Sequence, residues 1–129
     1  MKKFIKNIPL PRWVWRAIVI LALPVSAWAH AFLDYAEPAV GSEIKESPAV
    51  VKVWFTQKLE PAFSTLVVQN AKGEQVDKKD AHFDLKDATL FIVSVPVLPP
   101  GTYTVVWHAV STDTHKTGGT FKFTVKPKS

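Results

Sequence analysis

The sequence has no cysteine among its 129 residues, and its single methionine is Met1. The absence of cysteine excludes disulfides, thiolate metal sites and a cysteine nucleophile. Any metal site in the body of the chain must therefore use nitrogen and oxygen donors, because thiolate and thioether sulfur are lacking. A glycine-rich phosphate loop and a Gly-X-Ser-X-Gly elbow are also missing, so two common catalytic motifs are excluded.

Acidic residues are absent from the first 29 positions, where the chain instead carries five basic residues. An uncharged apolar run follows over Ala17 to Val25, and Ala27 and Ala29 then occupy the −3 and −1 positions of a signal-peptidase site. We predict that residues 1–29 form a cleaved signal peptide. The alternative is an uncleaved membrane anchor, which is disfavoured because Arg16 interrupts a stretch shorter than the roughly 20 residues of a spanning helix.

Cleavage after Ala29 would leave residues 30–129, a chain of 100 residues with eleven basic and eleven acidic side chains. This length fits one domain with a single hydrophobic core. The balanced charge provides no basic surface for nucleic acid or an anionic membrane.

The predicted mature chain shows the alternating pattern of half-buried β-strands, most clearly over Val50–Thr56, Thr102–Val110 and Thr120–Lys126. Polar residues over Gln75–Lys86 indicate a loop or a weak edge strand, and Gly118-Gly119 is expected to relax the backbone. With ten prolines in the whole chain and no convincing helix, the pattern predicts about seven short strands in an antiparallel sandwich or small barrel. The remaining strands are expected at Ala31–Tyr35, Thr65–Gln69 and Thr89–Val95.

Candidate metal ligands lie at the predicted new N-terminus and in a late loop. Cleavage after Ala29 would give His30 a free α-amine, so that the amine and ring Nδ1 could bind one metal ion. Asp113 and His115 are two residues apart, and extended chain places such side chains on one side, roughly 6.5–7 Å apart. This donor set suits tetragonal Cu(II), although Zn(II) would accept the same residues in a tetrahedral site. In the alternative interpretation, Asp113 only caps local backbone amides.

Several other residues have simpler interpretations. His108 is opposite in parity to Tyr103, Val105 and Trp107, so we expect it on the outer face of the sheet rather than as a ligand. His82 lies in a polar stretch and is expected at the surface. Trp54 and Trp107 are expected to pack rather than to form stacking platforms, and Asp34 and Glu37 are expected at the surface or as partners that orient a ligand.

Together, these segments resemble the periplasmic copper-binding CopC proteins, also known as the CopC/YobA/PcoC group. The likeness covers essentially the whole predicted mature chain. It depends on the combination of segments, since no single one of them is specific. The matching segments are His30-Ala31-Phe32-Leu33, Glu37-Pro38-Ala39, Gly41-Ser42, Val51–Phe55, Leu59–Ser64, Pro99–Val105, Trp107 with Val110–His115, and Gly118–Phe123.

The resemblance implies an immunoglobulin-like Greek-key β-barrel or sandwich that binds one Cu(II) per mature chain through His30, Asp113 and His115. It further implies a periplasmic carrier or buffer of copper, in resistance or uptake, acting as a monomer with a CopD-type inner-membrane protein. Three features depart from the family pattern. Gln57 stands where some members have a glutamate near copper, a methionine-rich Cu(I) loop is missing, and Thr114 and Lys116 replace the commoner glycine and proline.

Two other functions remain as alternatives. An N-terminal histidine also holds copper in oxidative polysaccharide-cleaving enzymes, but 100 residues leave little room for their broad substrate surface. The chain could instead be a metal-free exported interaction domain. We expect a copper-binding protein that is not an enzyme.

Overall fold

The computed structural model describes residues 32–128, so the predicted signal peptide and His30 lie outside the described residues. Between Phe32 and Lys128 there is no helix long and apolar enough to cross a membrane. The same range contains one 3-10 turn, Pro61–Phe63, and eight strands. These are β1 Leu33–Glu37, β2 Glu43–Ile44, β3 Val50–Phe55, β4 Thr65–Gln69, β5 His82–Phe83, β6 Leu90–Ser94, β7 Gly101–Val110 and β8 Lys116–Val125.

The strands form two four-stranded sheets packed face to face. One sheet has the order β1-β3-β6-β5 and the other has the order β2-β8-β7-β4. Neighbouring strands are antiparallel, except that β2 pairs with β8 in parallel through Glu43↔Thr124 and Ile44↔Val125. The predicted all-β fold is therefore confirmed, and of the two predicted architectures the open sandwich is the one observed.

The core lies between the sheets and is built from the apolar face of each alternating strand. In β3, Val51, Val53 and Phe55 are buried, whereas Lys52 and Trp54 face outward and are only partly covered. In β7 the buried face carries Tyr103, Val105, Trp107 and Ala109. The period of two in the sequence therefore predicted which face of each strand would be buried.

Three details of the strand prediction were wrong. Strand β2 has no counterpart among the predicted strands, because its two residues carry no periodic pattern and form a strand through pairing with β8. Strand β1 extends to Glu37 instead of ending at Tyr35. Strand β8 begins at Lys116, so Gly118 and Gly119 belong to a regular strand and do not relax the backbone.

Gly119 is explained by its neighbour across the sheet. It pairs with Trp107, and a Cβ atom added at position 119 would lie 2.9 Å from Cζ2 of the indole and 3.1 Å from Cε2. Trp107 is only 2% exposed and has no space into which to move. The glycine therefore permits the largest core side chain to lie flat against β8.

We predict that Gly119→Ala lowers the free energy of unfolding by about 2 kcal/mol, because the new methyl group overpacks the site against Trp107. The neighbouring Thr120→Ala, at an exposed position of the same strand, should change it by less than about 0.5 kcal/mol. Urea unfolding followed by tryptophan fluorescence measures both values. Equal stability of the two variants would contradict this account of Gly119.

Candidate metal centre

The predicted ligand residues Asp113 and His115 lie at the tip of the longest hairpin in the structure. Strands β7 and β8 pair along ten residues up to Val110↔Lys116, which leaves Ser111–His115 as the connecting loop. The loop is closed by two backbone hydrogen bonds, from Ser111 N–H to the carbonyl of His115 at 2.9 Å and from Thr114 N–H to the carbonyl of Ser111 at 2.9 Å. The register of the hairpin therefore fixes the position of Asp113 and His115.

Thr114 adopts a left-handed backbone conformation with φ of 73°. This region costs a residue with a Cβ roughly 1–2 kcal/mol, and glycine avoids that cost. The turn therefore explains why glycine would be the commoner residue at this position. The threonine retains the turn at the expense of some backbone strain.

The side chains of Asp113 and His115 lie next to each other, but the extended chain expected from their spacing is wrong, because Ser111–His115 is a turn in which Thr114 is left-handed. Oδ1 of Asp113 lies 3.3 Å from Nδ1 of His115, and both side chains face solvent, with exposures of 60% and 79%. Oδ1 also accepts a hydrogen bond from the hydroxyl of Ser111. The alternative in which Asp113 caps a local backbone amide is also supported, since the N–H of His115 donates to the same oxygen at 3.4 Å.

The hydrogen bonds to Asp113 keep its carboxylate ionised. The Ser111 hydroxyl is the largest influence, followed by the ring and backbone N–H of His115, and together they lower the pKa of Asp113 below its ordinary value of 3.8. Hydrogen bonds to the charged form of a carboxylate favour that form. The loop therefore presents a negatively charged oxygen at neutral pH.

The chemistry of this pair fits a divalent transition metal. A carboxylate oxygen and an imidazole nitrogen are hard to borderline donors, which suit Cu(II) or Zn(II) rather than Cu(I). Two donors do not complete a site, and within residues 32–128 no third His, Cys, Asp or Glu joins them. The remaining predicted ligand, His30, lies outside the described residues, so the three-residue set stays a prediction.

The first described residues lie at the same end of the sandwich as this loop. The carbonyl of Phe32 accepts a hydrogen bond from Thr56 N–H at 2.8 Å, just beyond the end of β3. Two residues later, the carbonyl of Lys58 accepts a hydrogen bond from Thr112 N–H at 3.3 Å, inside the loop. The segment after β3 therefore links the start of the described chain to the Asp113–His115 loop.

Aromatic packing in the core reinforces this link. The ring of Phe32 packs edge-on against Phe55 with centroids 6.2 Å apart, and Phe55 packs edge-on against Trp107 at 5.2 Å. Trp107 lies on β7, four residues before the loop begins. The buried rings therefore fix the position of Phe32, which is two residues after His30 in the sequence, relative to the loop.

Gln57 lies between the two residues that make these hydrogen bonds, Thr56 and Lys58, and its side chain is exposed. This is the position at which the resemblance places a glutamate near copper in some members. The neutral amide of Gln57 cannot supply the negative charge of a carboxylate at this position.

The remaining histidines behave as expected from the sequence. His108 lies on the outer face of its sheet, where Nδ1 is 3.4 Å from Oγ1 of Thr65. It lines an open groove of about 660 Å³ together with Thr112 and Thr114 of the loop. His82 is exposed on the edge strand β5, where Nδ1 lies 2.8 Å from the carbonyl oxygen of Asp80.

The sequence analysis missed the contribution of Ser111. This residue is 1% exposed, and its hydroxyl contacts both Asp113 and the backbone of His115. Parity could have shown that it continues the buried face of Tyr103, Val105, Trp107 and Ala109. Its polar side chain and the polar residues that follow it indicate a loop instead.

Comparison with known proteins identifies the family to which this fold belongs. The family model for the CopC domain matches residues 33–126, nearly the whole of the described chain. The chain belongs to the CopC family. The protein YobA of Escherichia coli K12 is 37% identical over 102 residues, covering 78% of this chain and 82% of its own. A copper resistance protein C of Escherichia coli is 30% identical over 120 residues, covering 84% and 90% of the two chains.

Two solved CopC-family structures have the same architecture. CopC from Methylosinus trichosporium OB3b is 30% identical, covers 78% of this chain and 97% of its own, and superposes with a TM-score of 0.71. PcoC from Escherichia coli, described as a methionine-rich copper resistance protein, has a TM-score of 0.64 at 30% identity and covers 76% and 100% of the two chains. Unlike a methionine-rich protein, this CopC-family chain has no methionine after Met1.

We predict that NMR titration of the side-chain carboxyls will give Asp113 a pKa below 3.8. His115→Ala should raise this pKa part of the way back, because the imidazole hydrogen bond is removed. Asp87 provides the control, since its pKa is lowered by the hydroxyl and N–H of Thr89 instead. A depressed folded-state pKa adds stability above the unfolded value, and this contribution is lost as the pH falls through the folded value.

An Asp113 pKa at or above its ordinary value would show that the loop does not hold the carboxylate as described. A shift of the Asp87 pKa in the same variant would point to a global change in the fold.

Proposed function

We propose that this CopC-family protein is a periplasmic Cu(II) carrier or buffer, exported by a signal peptide that is removed after Ala29. One Cu(II) per mature chain is held by the α-amine and ring of His30, the carboxylate of Asp113 and the imidazole of His115. The observation that carries the proposal is that the described chain starts at the same end of the sandwich as the Asp113–His115 loop.

The reach of the chain supports this assignment. Phe32 is fixed by its hydrogen bond to Thr56 and by the ring of Phe55, and only Ala31 separates it from His30. Two residues span at most roughly 7 Å. In a chain that starts at His30, the N-terminal nitrogens would therefore be tethered within two residues of the end of the sandwich that carries the loop.

The chemistry of the donors supports Cu(II) as the cargo. Two imidazoles, an amine and a carboxylate form the nitrogen-rich set that tetragonal Cu(II) favours, and Cu(II) leads the divalent affinity order. Cu(I) prefers soft sulfur, which the chain lacks after Met1. Gln57 or a water molecule completes the coordination. The names of two relatives refer to copper transport and to copper resistance.

We predict that the exported protein begins at His30 by intact-mass measurement and binds one Cu(II), with nitrogen hyperfine structure in its electron paramagnetic resonance spectrum. His30→Ala, His115→Ala and an N-terminally extended chain should each lose at least about tenfold in affinity, because each removes a nitrogen donor. His82→Ala is the matched control, since its imidazole is exposed on the distant strand β5 and should not affect binding.

An extended chain that binds Cu(II) as tightly as the processed chain would exclude the amine as a ligand. An unchanged affinity in His115→Ala would exclude the loop, leaving a metal-free or differently bound domain.

We predict that Cu(II) affinity falls between pH 7 and pH 5, because free imidazole and α-amino groups take up protons in or just above this range and then cannot bind metal. The carboxylate of Asp113 should not contribute to this loss, since its pKa lies below 3.8. Chelator competition at a series of pH values measures the effect. The Asp113→Asn variant should bind Cu(II) more weakly at every pH but lose affinity over the same pH range. A Cu(II) affinity of the parent protein that does not change with pH would contradict the proposed donors.

An oxidative enzyme remains the alternative for a copper held by an N-terminal histidine. An ascorbate-driven oxidation assay on polysaccharides separates the two functions, and we expect no cleavage products above the background of free Cu(II). A CopD-type inner-membrane protein is the partner that the family resemblance supports, with the chain itself monomeric.

A further inference from the structure

All the polar atoms of Ser111 form hydrogen bonds within the Ser111–His115 loop. Its hydroxyl donates to Oδ1 of Asp113 and accepts from the backbone N–H of His115 at 3.2 Å. Its own N–H donates to the carbonyl of His115, and its carbonyl accepts from Thr114 N–H, both at 2.9 Å. Three consecutive residues of the loop, including both predicted ligands, are therefore attached to this one serine.

Ser111 is itself held by the core. It follows the last residue of β7, is 1% exposed, and forms an isolated antiparallel bridge with the buried Leu59. The preceding Val110 accepts a hydrogen bond from Glu60 N–H at 2.7 Å. By contrast, Asp113 and His115 are mostly exposed and have no packing of their own to fix them. The position of the exposed pair therefore depends on the buried serine.

We propose that Ser111 is a positioning residue of the metal site, which holds Asp113 and His115 in their binding arrangement before the metal arrives. This inference rests on the proposed function. The Ser111 hydroxyl and Nδ1 of His115 both contact Oδ1 of Asp113, so the carboxylate that would help to hold the metal is oriented in the metal-free chain. Fixing the ligands in advance removes the entropy cost of ordering an exposed loop when the metal binds.

The test compares Ser111→Ala with Ser64→Ala in the processed chain. Ser64 is the matched control, because it is also a buried serine at this end of the sandwich and its hydroxyl also holds backbone. It donates to the carbonyl of Glu60 at 2.9 Å and accepts from Val110 N–H at 3.1 Å, but it makes no hydrogen bond within the loop. Both variants should melt about 5 °C lower, since each loses a buried hydrogen-bonding hydroxyl.

Only Ser111→Ala should weaken Cu(II) binding, by about 10- to 100-fold in chelator competition, as expected when a residue that orients a metal ligand is removed. Its Cu(II) electron paramagnetic resonance spectrum should also differ from that of the parent, whereas the Ser64→Ala spectrum should not. Parent-like affinity in Ser111→Ala would overturn the positioning role. Equal weakening in both variants would overturn it too, since the effect would then follow stability.

A measurement on the unsubstituted chain covers the case in which Ser111→Ala does not fold. Amide hydrogen exchange by NMR in the metal-free protein should show His115 N–H protected, because Ser111 Oγ accepts from it before any metal is present. Free exchange of this amide would overturn the claim that the loop is arranged in advance. If His115→Ala binds Cu(II) like the parent, the proposed function itself fails, which is distinguishable from failure of the Ser111 role alone.

Discussion

The register of β7 against its two neighbours is the constraint on which the metal-binding end of the molecule depends. β7 is paired with β4 on one side and β8 on the other, and it buries Tyr103, Val105, Trp107 and Ala109. A shift by one residue would expose Trp107 and bury His108, which the packing does not tolerate. The apolar face of one strand therefore determines where its polar loop emerges.

The two parts of the candidate site are far apart in sequence and are joined through the segment after β3. Thr56 binds the carbonyl of Phe32, and the carbonyl of Lys58 binds Thr112, while the rings of Phe32, Phe55 and Trp107 fill the space beneath. Backbone pairing sets the direction of the chain, and buried aromatic contacts set its distance from the loop. A ligand at the chain terminus is useful only because Phe32 is fixed in this way.

Local pattern predicted the strands that alternate and the outward position of His108. It also selected Asp113 and His115 as neighbours, but with an extended backbone where the structure has a turn. It could not predict β2, whose two residues exist as a strand only because β8 lies beside them. Nor could it predict that Gly119 meets Trp107 across the sheet, or that Ser111 is buried, since both facts depend on tertiary neighbours. Of these missed features, Ser111 supports the candidate site, whereas β2 and Gly119 belong to the pairing and packing of the sheet.

The distribution of burial favours metal as cargo over metal as a structural element. Nineteen buried apolar residues between the sheets form one continuous cluster, and Asp113 and His115 lie outside it. Asp113 and His115 are 60% and 79% exposed, whereas a structural metal site is normally closed by protein ligands. A metal bound at such an exposed tip would stay within reach of water and competing donors, and it could be exchanged while the sandwich beneath it stays intact, as the proposed carrier or buffer requires.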